Sequence, residues 1–302
     1  MVTAGAARPR PRRRRAAFIA GSHVLLVPAA IALAAVSVYP LAYGIVASLR
    51  QFRYGLDLGF AGADNYLNVL QDATFLTALG TTAKYVVLCV LIETLLGLGL
   101  ALLVNRQLVG TGLWRIGIIL PMTVAPVVVG VMWRLIYASD IGIADPVLGL
   151  LGVHGVHVLG GESSAFLGVV LLDVWEWTPL MFLILLAGLQ TIPQEPLEAA
   201  VMDGASELRV FFDHVLPMLR PVLFVAIVLR TIDAIGTFDQ VYVLTRGGPG
   251  VSTQLFSIYA YNTAFLFTQE GRAMAMVVLL LAAVLVLAGI AIRLVRLGPG
   301  TR

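Results

Sequence analysis

Charged side chains set within long apolar runs are where this chain can do chemistry. Lys84, Glu93, Arg134, Asp173, Glu176, Arg230 and Asp233 all sit in stretches otherwise dominated by Leu, Val, Ile, Ala and Phe. A charge at mid-bilayer costs about 2.5–3.5 kcal/mol, so such residues face one another or a polar passage. Asp173, Glu176 and Trp177 fall at i, i+3 and i+4, on one helical face, and Arg230, Asp233 and Thr237 share a similar register. Carboxylates accept hydrogen bonds from hydroxyls, and an indole face stacks on apolar C–H surface, so the two faces suit a passage for a sugar. The plainer alternative is an i,i+3 ion pair between Arg230 and Asp233 that only cancels charge. Lys84 and Arg134 lie near the ends of their runs, where long side chains reach the interface. Glu93 is mid-run with no local partner, open between a buried pairing role and a subunit interface.

The elements that must hold these residues are read from composition. Of 302 residues, 59% are apolar and 12% charged, with a mean hydropathy of +0.94. Soluble domains are about 45–50% apolar and about 25% charged, so a water-soluble globule is excluded, as is a disordered chain. Six runs are long enough to cross a bilayer, at 17–49, 79–104, 116–137, 166–189, 222–244 and 273–292. They predict an all-α, polytopic membrane protein of six transmembrane helices. The first run is overlong and holds Pro28 and Pro40, which predicts a kinked or partly interfacial end.

Orientation follows from the basic residues. With the amino terminus inside, inner segments carry Arg8, Arg10, Arg12 to Arg15, Arg106, Arg115, Arg209, Arg220, Arg293, Arg296 and Arg302, thirteen in all, against four outside (Arg50, Arg53, Arg246, Arg272). Both termini are therefore expected on the cytoplasmic side of the membrane. The expected domains are a basic tail at 1–16, held against anionic lipid, and one transmembrane domain at 17–302. The long apolar stretch after the tail argues against a removable signal peptide. The basic pI of 9.2 thus signals lipid, not nucleic acid. A single cysteine, Cys89, allows no intramolecular disulfide, and no metal-ligand set is expected. The outer loops are too short for a ligand-binding domain, so high-affinity capture from outside falls to another protein.

The connection at 190–217 does not read as a loop. Pro196 suits the first turn of a helix and Glu198 places negative charge near its positive end. Gly204 can take the left-handed conformation that ends it, Ser206 can cap a second short helix, and Pro217 is expected to stop that one at the membrane. A helix lying on lipid would carry Lys or Arg on its polar face. This one carries acids, with small residues at Ala199 and Ala200, as a surface for close docking by another protein does.

Here the chain resembles a known family. Glu198-Ala199-Ala200, Asp203-Gly204-Ala205 and Leu216-Pro217 look like the EAA loop of permease subunits in binding-protein-dependent ABC importers. Phe60-Ala-Gly-Ala-Asp64-Asn65-Tyr66, Trp175-Glu-Trp-Thr-Pro179 and Phe238-Asp239-Gln-Val-Tyr242, continuing to Gly247-Gly248-Pro249, look like its maltose/trehalose branch. His214 departs from the aliphatic residue usual there. The resemblance implies a type I importer permease whose loop residues Glu198, Ala199, Ala200, Asp203, Gly204 and Pro217 couple to a cytoplasmic ATPase. It also implies that Asp173, Glu176, Trp177, Leu180, Arg230 and Thr237 line the substrate cavity; Asp233 is added from helical geometry alone. The implied partners are a second homologous permease, two ATPase subunits and an extracytoplasmic solute-binding protein or lipoprotein. The chain has no phosphate-cradling Gly-x-x-x-x-Gly-Lys-Ser/Thr motif, so no cofactor is expected; ATP and Mg belong to the partner.

Other functions fare worse. Ser163 and Ser206 lie in connections, and the adjacent Ser22 and His23 do not face each other, so an intramembrane protease lacks a nucleophile and base. A proton-coupled carrier could use Glu93, Asp173 and Glu176 as relays but has no use for an acidic docking helix, and no inverted repeat is visible. A same-family importer of glycerol phosphate is the serious alternative, since the Arg230 guanidinium suits phosphate.

Overall fold

The computed structural model describes residues 27–106, 111–150, 152 and 157–297. The basic tail, the opening of the first run, Ser22 and His23 lie outside the described residues. Helix α1 (Val27–Ser48) leads into an antiparallel hairpin of β1 (Arg50–Arg53) and β2 (Leu56–Phe60), in which Arg53 faces Leu56. Helices α2 (Asp64–Leu70), α3 (Ala73–Asn105), α4 (Thr111–Ile119), α5 (Pro126–Ile136), α6 (Ala144–Leu150) and α7 (Glu162–Gln190) follow. The chain ends through α8 (Glu195–Met202), α9 (Glu207–Ile235), α10 (Asp239–Thr245), α11 (Phe256–Tyr261) and α12 (Glu270–Leu297). Among the described residues five helices, α1, α3, α7, α9 and α12, are each long and apolar enough to cross a membrane, and the bent α4–α5 pair is a sixth candidate. The all-α polytopic expectation stands.

The centre is α3 against α7. A Cβ on Gly97 would come within 2.8 Å of the Met181 Cβ, and one on Gly188 within 2.8 Å of the Leu219 and Val222 side chains. Small residues at these crossings let α7 lie directly on α3 and α9, the packing available where no water drives helices together. Tyr85, Cys89, Leu172, Val241 and Ile258 fill one buried core between α3, α7, α10 and α11, and Ala101, Phe182, Leu185 and Leu219 fill another. Outward faces are apolar and exposed, as at Val36, Leu95 and Leu285, which suits hydrocarbon rather than water.

Three expectations about the spans need correction, two of them at a proline. The run 116–137 is not one straight helix: it breaks at Val124 and Ala125 and bends by 96°. The residue before a proline is driven out of the α region, and Ala125 precedes Pro126 with an extended ψ of 136°. The run 222–244 is likewise two helices, since α9 ends at Ile235, with Gly236 as its C-cap, and α10 begins at Asp239. The freed Thr237 carbonyl accepts the Ser257 hydroxyl of α11, so the break is satisfied internally, as it must be in lipid. Pro217 does not stop a helix: α9 runs through it from Glu207 to Ile235. Ahead of it the turn widens at Phe211–Val215, where the Leu216 N–H reaches back five residues to the Phe211 carbonyl. The wider turn gives room to the proline ring, which otherwise strikes the carbonyl four residues earlier. The same device at Ala34–Val38 precedes Pro40 in α1.

Candidate functional site

Two places gather the residues singled out from the sequence. The first lies where α3, α7 and α9 meet. Arg230 donates Nε to Glu93 Oε2 at 2.7 Å and Nη2 to Glu93 Oε1 at 3.1 Å, a bidentate pair. Its Nη1 donates to Asp233 Oδ2 at 2.8 Å, and its Nη2 also to Asp173 Oδ2. Gln240 of α10 donates to the other Asp173 oxygen at 3.4 Å, and the Trp177 ring lies 5.1 Å from the guanidinium carbon. Glu93, Asp173 and Arg230 are wholly buried, whereas the Asp233 side chain is 49% exposed.

The Arg230–Asp233 pair, the plainer alternative, is therefore present, but as one edge of a larger cluster that cross-links three helices. Arg is the residue that can do this, because its five N–H donors form a fixed fork. Glu93 finds its role as the bidentate partner, 137 residues away in sequence. The only cation deep in a span was Arg230, and that was the signal for the pairing. Gln240, Tyr85 and Cys89 complete the surroundings, and nothing local in the sequence marks them as members of this cluster.

The remaining residues divide by accessibility. Glu176 is buried, and its Oε2 has no hydrogen-bond partner among the described residues. Thr237 is buried, Trp177 and Leu180 are half-buried, and Asp233 is exposed beside them. Candidate ligand atoms of Cys89, Glu93 and Asp173 lie within 4.8 Å of one another. Both carboxylates are already engaged by Arg230, whose positive charge takes the place a metal ion would occupy.

The second place is the connector. Pro196 sits in the first turn of α8, and Gly204 has φ +83°. The Ala205 N–H donates to the Ala200 carbonyl and the Gly204 N–H to the Val201 carbonyl, both at 3.0 Å, the paired bonds of a Schellman turn. Ser206 Oγ then accepts the Arg209 N–H at 3.4 Å and caps the start of α9. Ile192 and Leu197 pack into the base of the α3–α7–α9 core, so α8 is seated on the spans it joins. Glu198, Ala199, Asp203 and Gly204 are exposed, Ala200 is turned inward and Pro217 is half-buried. Val201, Met202, Leu208 and Phe212 add apolar surface at 57%, 86%, 72% and 58% exposure. Acid flanked by bare apolar side chains is a surface fitted for a protein partner.

Comparison with known proteins identifies the family. Residues 93–297 match the family described as binding-protein-dependent transport system inner membrane component. The chain is 45% identical over 203 residues to the trehalose/maltose transport system permease protein MalF of Thermococcus litoralis, covering 67% of this chain and 69% of the relative. It is 32% identical to the sn-glycerol-3-phosphate transport system permease protein UgpA of Agrobacterium fabrum, covering 90% of this chain and 94% of the relative. A crystal structure of a bacterial ABC transporter involved in the import of the acidic polysaccharide alginate shares the fold, with a TM-score of 0.79 at 19% identity, over 93% of this chain and 96% of that one.

Proposed function

As the chain belongs to the family of binding-protein-dependent transport system inner membrane components, a transport component and not an enzyme, we propose that it forms half of the membrane passage of an ATP-driven importer of a neutral sugar. The observation that carries the choice of solute is the state of Arg230. Four of its five N–H donors are taken by Glu93, Asp173 and Asp233, so the guanidinium has no fork left to hold a phosphate. Three carboxylates surround one cation, and Glu176 lies in the same helix as Asp173. At roughly 6 Å and an effective dielectric of about 20, each excess carboxylate repels a further negative charge by about 3 kcal/mol. An anionic solute is disfavoured by that margin, which argues against the glycerol phosphate reading despite that relative. A polyol carries no such penalty, and its hydroxyls can donate to Asp233 while Trp177 and Leu180 meet its C–H faces.

The relative that transports trehalose and maltose supports a small glucoside as the solute. Coupling runs through the connector: α8, with Glu198, Ala199, Asp203 and Gly204 outward, enters a cleft of the ATPase subunit, and its seat on α7 and α9 passes the motion to the spans carrying the charge cluster. Both termini and the connector are cytoplasmic, the basic tail at 1–16 rests on the inner leaflet, and residues 17–302 form the transmembrane domain. A second permease subunit, two ATPase subunits that hold ATP and Mg, and a solute-binding protein complete the importer.

Proteoliposomes holding the assembled importer test this. They take up labelled trehalose or maltose only with ATP on the ATPase side, and exclude glycerol 3-phosphate. Preference for glycerol phosphate, uptake driven by a proton gradient, or uptake surviving Glu198→Arg refutes the reading. Trp177→Ala lowers uptake while the ATPase subunit still co-purifies; equal loss of both makes Trp177 structural.

A further inference from the structure

Away from the charge cluster, polar groups with no role so far gather around a pocket of 520 Å³ between the hairpin, α2 and the start of α12. Its floor is locked. Asp72 accepts the Thr74 N–H at 2.9 Å, the Tyr259 hydroxyl, and Arg272 Nη2 at 2.5 Å. Asn65 is held by the Ser48 and Arg50 carbonyls at 2.8 and 3.0 Å. Above this floor the lining changes character. Gln51, Asn68 and Gln71 are exposed, and their amides have no hydrogen-bond partner among the described residues; Arg53 is exposed beside the half-buried Phe52 ring.

The chemistry of that lining is specific. Each amide offers an acceptor and two donors in one plane, matching a hydroxyl that both donates and accepts. Phe52 supplies an apolar face. The charge of Arg272 is answered by Asp72, which leaves the exposed Arg53 at the edge as the single unanswered charge among the described lining residues. The pocket's volume falls within the range of about 300–1,000 Å³ typical of small-molecule sites. It is also remote from the passage. Asp72 caps one end of α3, 21 residues before Glu93, which is about 30 Å along a helix. Arg106 at the other end of α3 bonds Glu207 beside the connector, so pocket and connector lie at opposite ends of the bundle.

We propose that this pocket is a second, external saccharide site on the permease, which holds a neutral mono- or disaccharide at the rim and is distinct from the transmembrane passage. It takes its sugar class from the function proposed above. The test uses the assembled importer in nanodiscs without ATP or the solute-binding protein, with maltose and trehalose as probes in saturation-transfer NMR. Expected is transfer to at least one sugar, unchanged in Trp177→Ala and weakened at least tenfold in Asn68→Ala/Gln71→Ala, whose exposed positions leave folding intact. Absence of transfer in the unmodified importer overturns the proposal, as does binding lost in Trp177→Ala but kept in Asn68→Ala/Gln71→Ala. If the double variant keeps its sugar but binds the solute-binding protein tenfold more weakly, the surface docks protein and the proposal falls. ATP-driven uptake is measured on the same purified importer reconstituted with its solute-binding protein in proteoliposomes: uptake without rim binding overturns only the second site, and failure of sugar uptake overturns the function instead.

Discussion

Replacing Arg230 with Met removes the single cation from a cluster of three carboxylates, two of them wholly buried. Removing one member of a buried ion pair costs about 3–5 kcal/mol, because the partner is left charged without compensation. Arg230→Met strands Glu93 and Asp173 together, while Asp233, half-exposed, can rehydrate. The loss should therefore reach the upper part of that range, a large share of a typical total of about 5–15 kcal/mol. Arg230→Lys keeps the charge but not the fork, and cannot reproduce the bidentate contact to Glu93. One charged hydrogen bond is worth about 1.5–3 kcal/mol, so Lys should fall between the two. The triple variant Arg230→Met/Glu93→Gln/Asp173→Asn leaves no stranded charge and should recover much of the loss, a non-additivity expected only of residues in direct contact. Denaturant unfolding of the detergent-solubilised protein, followed by circular dichroism, measures all four proteins. A cost below about 1 kcal/mol for Arg230→Met, or no recovery in the triple variant, refutes the claim that these charges are held by one another.

Three further predictions follow from the geometry. Gly204→Ala places a side chain at φ +83°, a strain of about 1–2 kcal/mol at the end of α8, and should weaken co-purification of the ATPase subunit while leaving the thermal stability of the spans nearly unchanged. Gly97→Ala drives a methyl to within 2.8 Å of Met181 and should destabilise by about 1–3 kcal/mol; Gly99→Ala, with nothing within 4 Å, should be stabilising by up to about 1 kcal/mol on helix propensity, both read as melting shifts. Burial alone would raise the Asp72 carboxyl, but the hydrogen bonds from Tyr259 and the Thr74 N–H, with the Arg272 charge, hold it below its ordinary value. Its contribution is then present above the unfolded value and lost as pH falls through the folded one. Burial and the Asp72 hydrogen bond push Tyr259 up to about 12, so its contribution holds below the unfolded value near 10 and fades as pH rises toward 12. The melting-temperature difference between the unmodified protein and Asp72→Asn should accordingly narrow on the acid side and persist at neutral pH.

Much of the connector was legible because its signals are local. A proline at 196, a glycine at 204 and a serine at 206 each act within one turn of their own backbone, and all three do what their types suggest. Pro217 misled for the opposite reason: whether a proline ends a helix depends on whether the preceding turn can widen, and that is settled by what the helix packs against. The breaks at Ala125 and Gly236 were hidden inside continuous apolar runs, since hydropathy records affinity for lipid and not backbone continuity.

Composition and hydropathy by themselves determine that this chain lives in a bilayer as several helices, because no arrangement in water could cover so much apolar surface. Spacing determines which polar residues share a face of one helix. Only the tertiary structure decides that Glu93 clasps Arg230, that Asp173 joins them, and that Asp233 alone of the four stays accessible. Those facts depend on how far each helix is rotated about its own axis, and that angle is fixed by close packing at Gly97 and Gly188 between helices far apart along the chain.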